Sequence, residues 1–279
     1  MKKFLVRLSV FFVAPMALLC VGWYLVLTHS HWDNVGLLNF QVAKLKHFKN
    51  KHFKVLFIGD SSGGNAIKTD KKNTINFCLS GSYGYEGNTE FINIIRQYIT
   101  YDTLVVVNTI DISTRPVSDE AQWLPNIYSN DPIKKIMAFK NSFSQLKFIL
   151  DYAVKHNFDI NSKFDLYTDY PVSREKTKSR ENKIEGDIIP AKVAEFCKLE
   201  QTIKGFKEPY YLFFGPSLPY DNAYFNRLSD TLTARKIAHK LNKPFPLDSS
   251  NVGNTEDHVH PDFAYQSTEY YLSLLHNGK

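Results

Sequence analysis

Two short segments, far apart in the chain, hold residue types that do chemistry together. The first is Gly59-Asp60-Ser61-Ser62-Gly63-Gly64, which sets serine hydroxyls among residues too small to cover them. A serine becomes a nucleophile when a neighbouring base takes its proton. The second segment, Asp257-His258-Val259-His260-Pro261, offers that base. Asp257 and His260 are spaced so that one short loop can carry both. The carboxylate can then orient the imidazole and stabilise its cation while the ring faces Ser61. His258 alternates with His260 and is expected at the surface. A metal pair of His258 and His260 lacks a third ligand nearby. The three cysteines form no CxxC or Cys/His cluster of zinc spacing. Neither metal nor cofactor is expected. Taken alone, each segment has a plainer reading: a turn or helix cap at Ser61, and a surface loop at His258.

The surrounding elements place Ser61 at the edge of a sheet. Lys54 to Gly59 is a short apolar run that predicts a strand ending at the small residues. Asn76 to Leu79 predicts a second strand, and Thr103 to Ile112 (TLVVVNTIDI) a third, too apolar for an edge. Tyr210 to Phe214 predicts a fourth and Phe245 to Leu247 a last short one. Helical periodicity marks Asn88 to Ile99, Tyr220 to Leu241 and Phe263 to Leu275. In the Tyr220 to Leu241 helix, Leu228, Leu232, Ile237 and Leu241 are expected inward. Strands alternating with helices predict an α/β fold with a parallel sheet and helices on both faces. Ligands bind such sheets at the C-terminal ends of the strands. If a helix follows at once, the amides of Ser61 to Gly63 favour an anion there.

Between about 113 and 190 the alternation breaks, which reads as an insertion within one domain. Ile133 to His156 predicts a helix with Ile136, Phe139, Phe143, Leu146 and Leu150 on one side. The charge-dense stretch from Tyr167 to Asp187 reads as a solvated loop. Trp123 and Tyr128 lie after the third strand, where they can stack on sugar rings or fold the insertion onto the body.

The first thirty residues set the expected compartment. Lys2, Lys3 and Arg7 precede an uncharged apolar stretch, Leu8 to His29. A stretch of roughly 20 apolar residues matches a bilayer crossing. It is longer than a cleaved signal peptide's core and lacks a small-x-small exit. Residues 1–7 then form a cytoplasmic tail and 8–28 an uncleaved transmembrane anchor, with the rest outside. A bacterial inner membrane with a periplasmic domain is the simplest host. Residues 29–52 read as a basic juxtamembrane linker. Within it Leu38, Val42, Leu45 and Phe48 recur at helical spacing. That helix lies either on anionic headgroups or, as the domain's first helix, on the core.

The 279 residues, 43% apolar and 14% aromatic, suffice for a sizeable core and exclude disordered and fibrous classes. The net charge of +6 suits an anionic surface or glycan and is too small for nucleic-acid binding. Cys78 and Cys197 can form a disulfide in an oxidising compartment or stay as buried thiols.

Together, the GDS segment after the first strand and the Asp257-x-x-His260 segment near the C-terminus resemble the SGNH hydrolase superfamily, the GDSL-type esterases. The resemblance covers roughly Phe53 to Lys279, the expected domain. It implies a three-layer α/β/α sandwich with a flavodoxin-like sheet, and a Ser61–His260–Asp257 triad. It also implies an oxyanion hole made by Ser61, Gly81 and Asn108. Gly81 follows the second strand and fits the family's glycine. Asn108 stands in Val-Val-Asn-Thr where the family has Gly-x-Asn-Asp, and a strand asparagine bonded to a loop is the alternative. Asp111 is expected to cap a loop. With the anchor, the chain is most similar to periplasmic acyl-group enzymes. The implied activity is a serine esterase or O-acyltransferase, with acetyl as the implied acyl group, acting on a cell-envelope polysaccharide. Its implied partners are an acylated glycan or acyl donor, membrane lipid, and a membrane acyl-donor protein. Water and a sugar hydroxyl both remain open as acceptors. The rival reading is a non-catalytic module of the same fold that binds envelope glycan or a membrane partner.

Overall fold

The computed structural model describes residues 2–28, 34–69, 73–109, 124–144, 187–218, 222–237, 243–255 and 257–276. The expectations for Asp111, Trp123, Leu146, Leu150, Leu241 and residues 167–186 lie outside this set.

The fold is α/β. Strands β1 (His52–Gly59), β2 (Thr74–Asn76), β3 (Thr100–Asn108) and β4 (Tyr210–Phe214) form one sheet in the order β2-β1-β3-β4. Every pairing is parallel. The register sets Gly59 opposite Val107 and Asn108 opposite Phe214. Beyond β2 the chain stays beside β1, with Phe77 N–H donating to the Phe57 carbonyl and Leu79 N–H to that of Gly59, both at 2.8 Å. The expected fifth strand at Phe245–Leu247 is reduced to a single parallel bridge between Pro246 and Ser217.

The strands bury alternate residues in two separate clusters, as the two-residue period of a strand requires. Leu56, Ile58, Leu104, Val106, Leu212 and Phe214 join the larger cluster. It takes in helices α4 (Gly84–Ile95), α6 (Pro190–Lys204) and α7 (Asn222–Ala234). Phe57, Val105, Val107 and Phe213 join the second cluster, with Tyr271 and Leu272 of α8 (Ala264–His276). Because both clusters are fed by the same strands, the sheet is apolar on both sides. That is the pattern of a parallel sheet covered by helices.

Helix α2 (Asn34–His47) settles the choice left open for residues 38–48. Leu38, Val42 and Leu45 lie in the larger cluster, and Leu37 and Phe40 pack with Cys78. Burial of each such side chain stabilises by about 1.5–3 kcal/mol. The packed body therefore begins at α2 and not at Phe53, and this part of the 29–52 stretch is core rather than linker. Lys44 is buried with it. Its ammonium donates to the Asn76 carbonyl at 3.1 Å and lies near the Phe40 and Phe77 rings.

Helix α1 (Lys2–Thr28) is a single 27-residue helix with Pro15 inside it, and Phe11 and Leu18 are exposed. The expected transmembrane span is not shown. Among the described residues, no helix is long and apolar enough to cross a membrane. The side chains of 22–28 are outside the described set.

Helix α5 (Pro132–Ser144) is the described part of the helix expected over Ile133 to His156. Ile133 and Ile136 are exposed and Ala138 is buried. Residues two apart on a helix point about 200° apart, so burying Ala138 turns Ile136 outward. The side chains of Phe139 and Phe143 are outside the described set.

Candidate functional site

Gly59 ends β1 with φ 141°, a conformation that side chains resist. A Cβ there would sit 1.8 Å from the Val107 carbonyl oxygen. The turn that follows is held by Asp60, which caps helix α3 (Ser61–Ala66) in extended backbone. Its Oδ1 accepts the Ser62 N–H at 2.9 Å and the Ser62 hydroxyl at 2.5 Å. Its Oδ2 accepts the Thr109 N–H at 2.9 Å, which ties the turn to the end of β3. Gly63 packs α3 against β3, since a Cβ there would lie 2.8 Å from Val107. The Asn76 side-chain amide donates to the Gly64 and Ile67 carbonyls at 3.2 and 3.1 Å and holds the other end of α3.

Ser61 is the first residue of α3 and is partly exposed, whereas Ser62 is fully buried under Gly215. Of the two hydroxyls, only that of Ser61 is open to a substrate. Gly81 lies at the same edge. Leu79 bonds to Gly59, and each chain runs two residues further, to Gly81 and Ser61. Gly81 opens a 3-10 turn, Gly81–Tyr83, capped by Ser80.

Asn108 is the last residue of β3, one beyond Val107, which pairs with Gly59 at the end of β1. The alternative of a loop-bonded asparagine is not what its side chain does. The residue is 2% exposed, and its Nδ2 is buried without a hydrogen-bond partner among the described residues. Buried amides rarely stay unpaired, because the lost hydrogen bonds to water cost about 1–3 kcal/mol. A donor kept waiting at a strand end suits a ligand oxygen.

Cys78 lies beneath this turn, its sulfur 3.1 Å from where a Gly63 Cβ would be. Burial first, then the Asp60 carboxylate, pushes the thiol's pKa well up, while Lys44 opposes them. Cys78 is therefore a neutral packing residue and no rival nucleophile. Both Cys78 and Cys197 are free thiols, so the disulfide alternative is not formed.

Helix α8 packs against the end of α3. Thr268 Oγ1 accepts the Lys68 N–H at 2.8 Å and donates to the Ala264 carbonyl at 2.7 Å, with the Ala66 carbonyl 3.3 Å away. The Tyr271 hydroxyl donates to the Phe214 carbonyl at 2.9 Å. His260 precedes α8 and is 8% exposed, its N–H bonded to the Asn251 carbonyl at 2.7 Å. It caps the 3-10 turn Pro261–Phe263 with its ring, Nδ1 accepting the Asp262 N–H at 3.4 Å. The Asp257 carboxylate accepts the Thr255 hydroxyl at 2.8 Å and lies 3.7 Å from His258 Nε2. Asp257 is thus placed against His258, the residue expected at the surface, whose side chain is only 12% exposed. His260 has Asp262 at its Nδ1 instead.

No family model, curated protein or solved structure matches this chain.

Tyr128, the second aromatic weighed for sugar stacking, turns to the body. Its hydroxyl donates to Asn39 Oδ1 at 2.5 Å, and burial pushes its pKa up. It packs the 3-10 turn Leu124–Tyr128 against α2, the alternative role considered for it.

Proposed function

We propose that the chain is a membrane-anchored serine esterase or O-acyltransferase of SGNH type, acting on acetylated polysaccharide of the cell envelope. One observation carries this reading: the buried Asn108 amide, without a hydrogen-bond partner among the described residues, at the end of the strand that pairs with the one leading into Ser61. The two strand-fed clusters support a three-layer α/β/α sandwich. The uncharged run after Lys2, Lys3 and Arg7 supports α1 as the anchor, with the remaining chain periplasmic.

In this mechanism Ser61 Oγ attacks the ester carbonyl as His260 takes its proton. The oxyanion is held by Asn108 Nδ2 and the amides of Ser61 and Gly81. The tetrahedral centre collapses, the alcohol leaves with the proton from His260, and the acyl group stays on Ser61. Water or a sugar hydroxyl, deprotonated by His260, then removes it. Full-length chain in membranes should react with a fluorophosphonate probe, and Ser61→Ala should not. Equal labelling of the two, or none of either, would sink the reading.

The non-catalytic alternative draws on one observation. Asp257 accepts from Thr255 and lies 3.7 Å from His258 Nε2, while the carboxylate found at His260 is that of Asp262.

A further inference from the structure

We infer that Asp262, rather than Asp257, is the carboxylate that positions His260. The inference rests on the reading of Ser61 as nucleophile and His260 as base. It changes which residue completes the site.

The contact is local. Asp262 Oδ2 lies 3.5 Å from His260 Nδ1, and the Asp262 amide lies 3.4 Å from the same nitrogen. The intervening Pro261 fixes this arrangement. A residue before proline is confined to extended backbone, and His260 has φ −62° and ψ 139°. The next residues then turn back in 3-10 form, which brings both polar groups of Asp262 beneath the ring.

Those two groups favour opposite tautomers. A neutral imidazole carries one N–H. If Nδ1 accepts from the Asp262 amide, the proton sits on Nε2, and Nε2 cannot serve as a base. If Nδ1 donates to the Asp262 carboxylate, the Nε2 lone pair is free to take the Ser61 proton. The amide contact is long for a hydrogen bond. A bond to the carboxylate is charge-assisted and stronger once it closes by a few tenths of an ångström. When Nε2 gains the proton, the cation formed lies against the same carboxylate.

Asp257 has other work. With Thr255, His258 and Asn254 it forms a cluster of its own, His258 Nδ1 lying 2.8 Å from Asn254 Oδ1. Around His260, Asn251 presents a neutral carbonyl and Phe263 an apolar ring at 6.4 Å. Among the described residues, Asp262 is the only carboxylate within 4.0 Å of the His260 ring nitrogens. The Asp262 side chain is 70% exposed, so water screens the pair and its effect is modest.

The test is 15N-imidazole NMR of the full chain in detergent micelles at neutral pH. The His260 signal is assigned by its loss in His260→Gln. Asp262→Asn should shift the His260 tautomer toward Nε2–H. Asp257→Asn should leave the tautomer unchanged, and Asp262→Glu should restore the wild-type one. Fluorophosphonate labelling of Asp262→Asn should slow about two- to fivefold. A His260 signal that follows Asp257→Asn and ignores Asp262→Asn overturns the inference. If wild type is unlabelled but the NMR shift appears, the pairing stands and the nucleophile reading falls.

Discussion

Asn108 gives its two polar ends to different tasks. Its carbonyl accepts the Gly215 N–H at 2.6 Å, extending the β3–β4 pairing by one bond, while its side-chain amide meets no acceptor among the described residues. The backbone half is structural and the side-chain half is held in reserve.

This separation makes Asn108→Leu informative. The substitution keeps the backbone bond and removes only the unpaired amide. Stability to urea should be unchanged or slightly higher, because no native hydrogen bond is lost. The fluorophosphonate labelling rate should fall by about a hundredfold or more, the usual loss for one oxyanion donor. A urea midpoint that drops by the equivalent of more than about 1 kcal/mol would mean that the amide holds the fold together.

Gly215→Ala tests how tightly the turn is packed. The added Cβ would sit 2.2 Å from Ser62 Oγ and 3.0 Å from Ser62 Cβ. Ser62 must then leave its bond to Asp60, or β4 must move. Either response should cost about 1–3 kcal/mol in urea unfolding. Labelling should slow as well, since Ser61 shares the displaced turn.

Asp60→Ala should be more damaging than an ordinary lost cap. Loss of a helix cap costs about 1 kcal/mol. Here the Thr109 N–H and the Ser62 hydroxyl also lose their acceptor in a buried place, at about 1–3 kcal/mol each. Thermal unfolding should show a clearly lower midpoint than in Gly215→Ala.

Raising the pH should weaken the fold from about pH 9 upward. The pKa of Cys78 is raised well above its ordinary 9.0 by burial, and that of Tyr101 from 10.0 to about 12. Burial likewise raises Tyr271. Above pH 9 the unfolded chain releases these protons and the folded one retains them. The unfolded state then binds fewer protons, so stability falls as pH rises. Below pH 9 these groups contribute no pH dependence. Urea midpoints at pH 8, 9, 10 and 11 should decline over the last two steps. Cys78→Val should flatten part of that decline. A midpoint that stays level to pH 11 would contradict the burial of these groups.

The position of Ser61 was legible because its strand ends where small residues begin. Lys54 to Gly59 reads as a strand with a glycine stop, and the structure ends β1 at Gly59. The continuous apolar run of residues 104–107 likewise locates β3, but its end at Asn108 was not legible, because the apolar pattern reads on to Ile112. Helix α6 stands outside the expected elements although its signals are in the sequence: Pro190 at the helix start, then Val193, Phe196, Leu199 and Ile203 at helical spacing. The periodicity of Ile136 marks a stripe without saying which side of the helix is covered, and Ile136 itself is exposed. The partner of His260 was not legible at all. Asp257-x-x-His260 and His260-Pro261-Asp262 both place a carboxylate within reach. Only the backbone turn after Pro261 decides between them.

The burial of α2 has a consequence for how the body could be released from its N-terminal helix. A protease that cut after His47 would strip Leu38, Val42 and Leu45 from the larger cluster and Phe40 from Cys78. Removing even one large core side chain costs about 2–5 kcal/mol, and a whole domain's stability is about 5–15 kcal/mol. The fragment so freed would unfold rather than circulate. Only a cut ahead of Asn34 leaves an intact body, so shedding and inactivation would be separated by a few residues of chain.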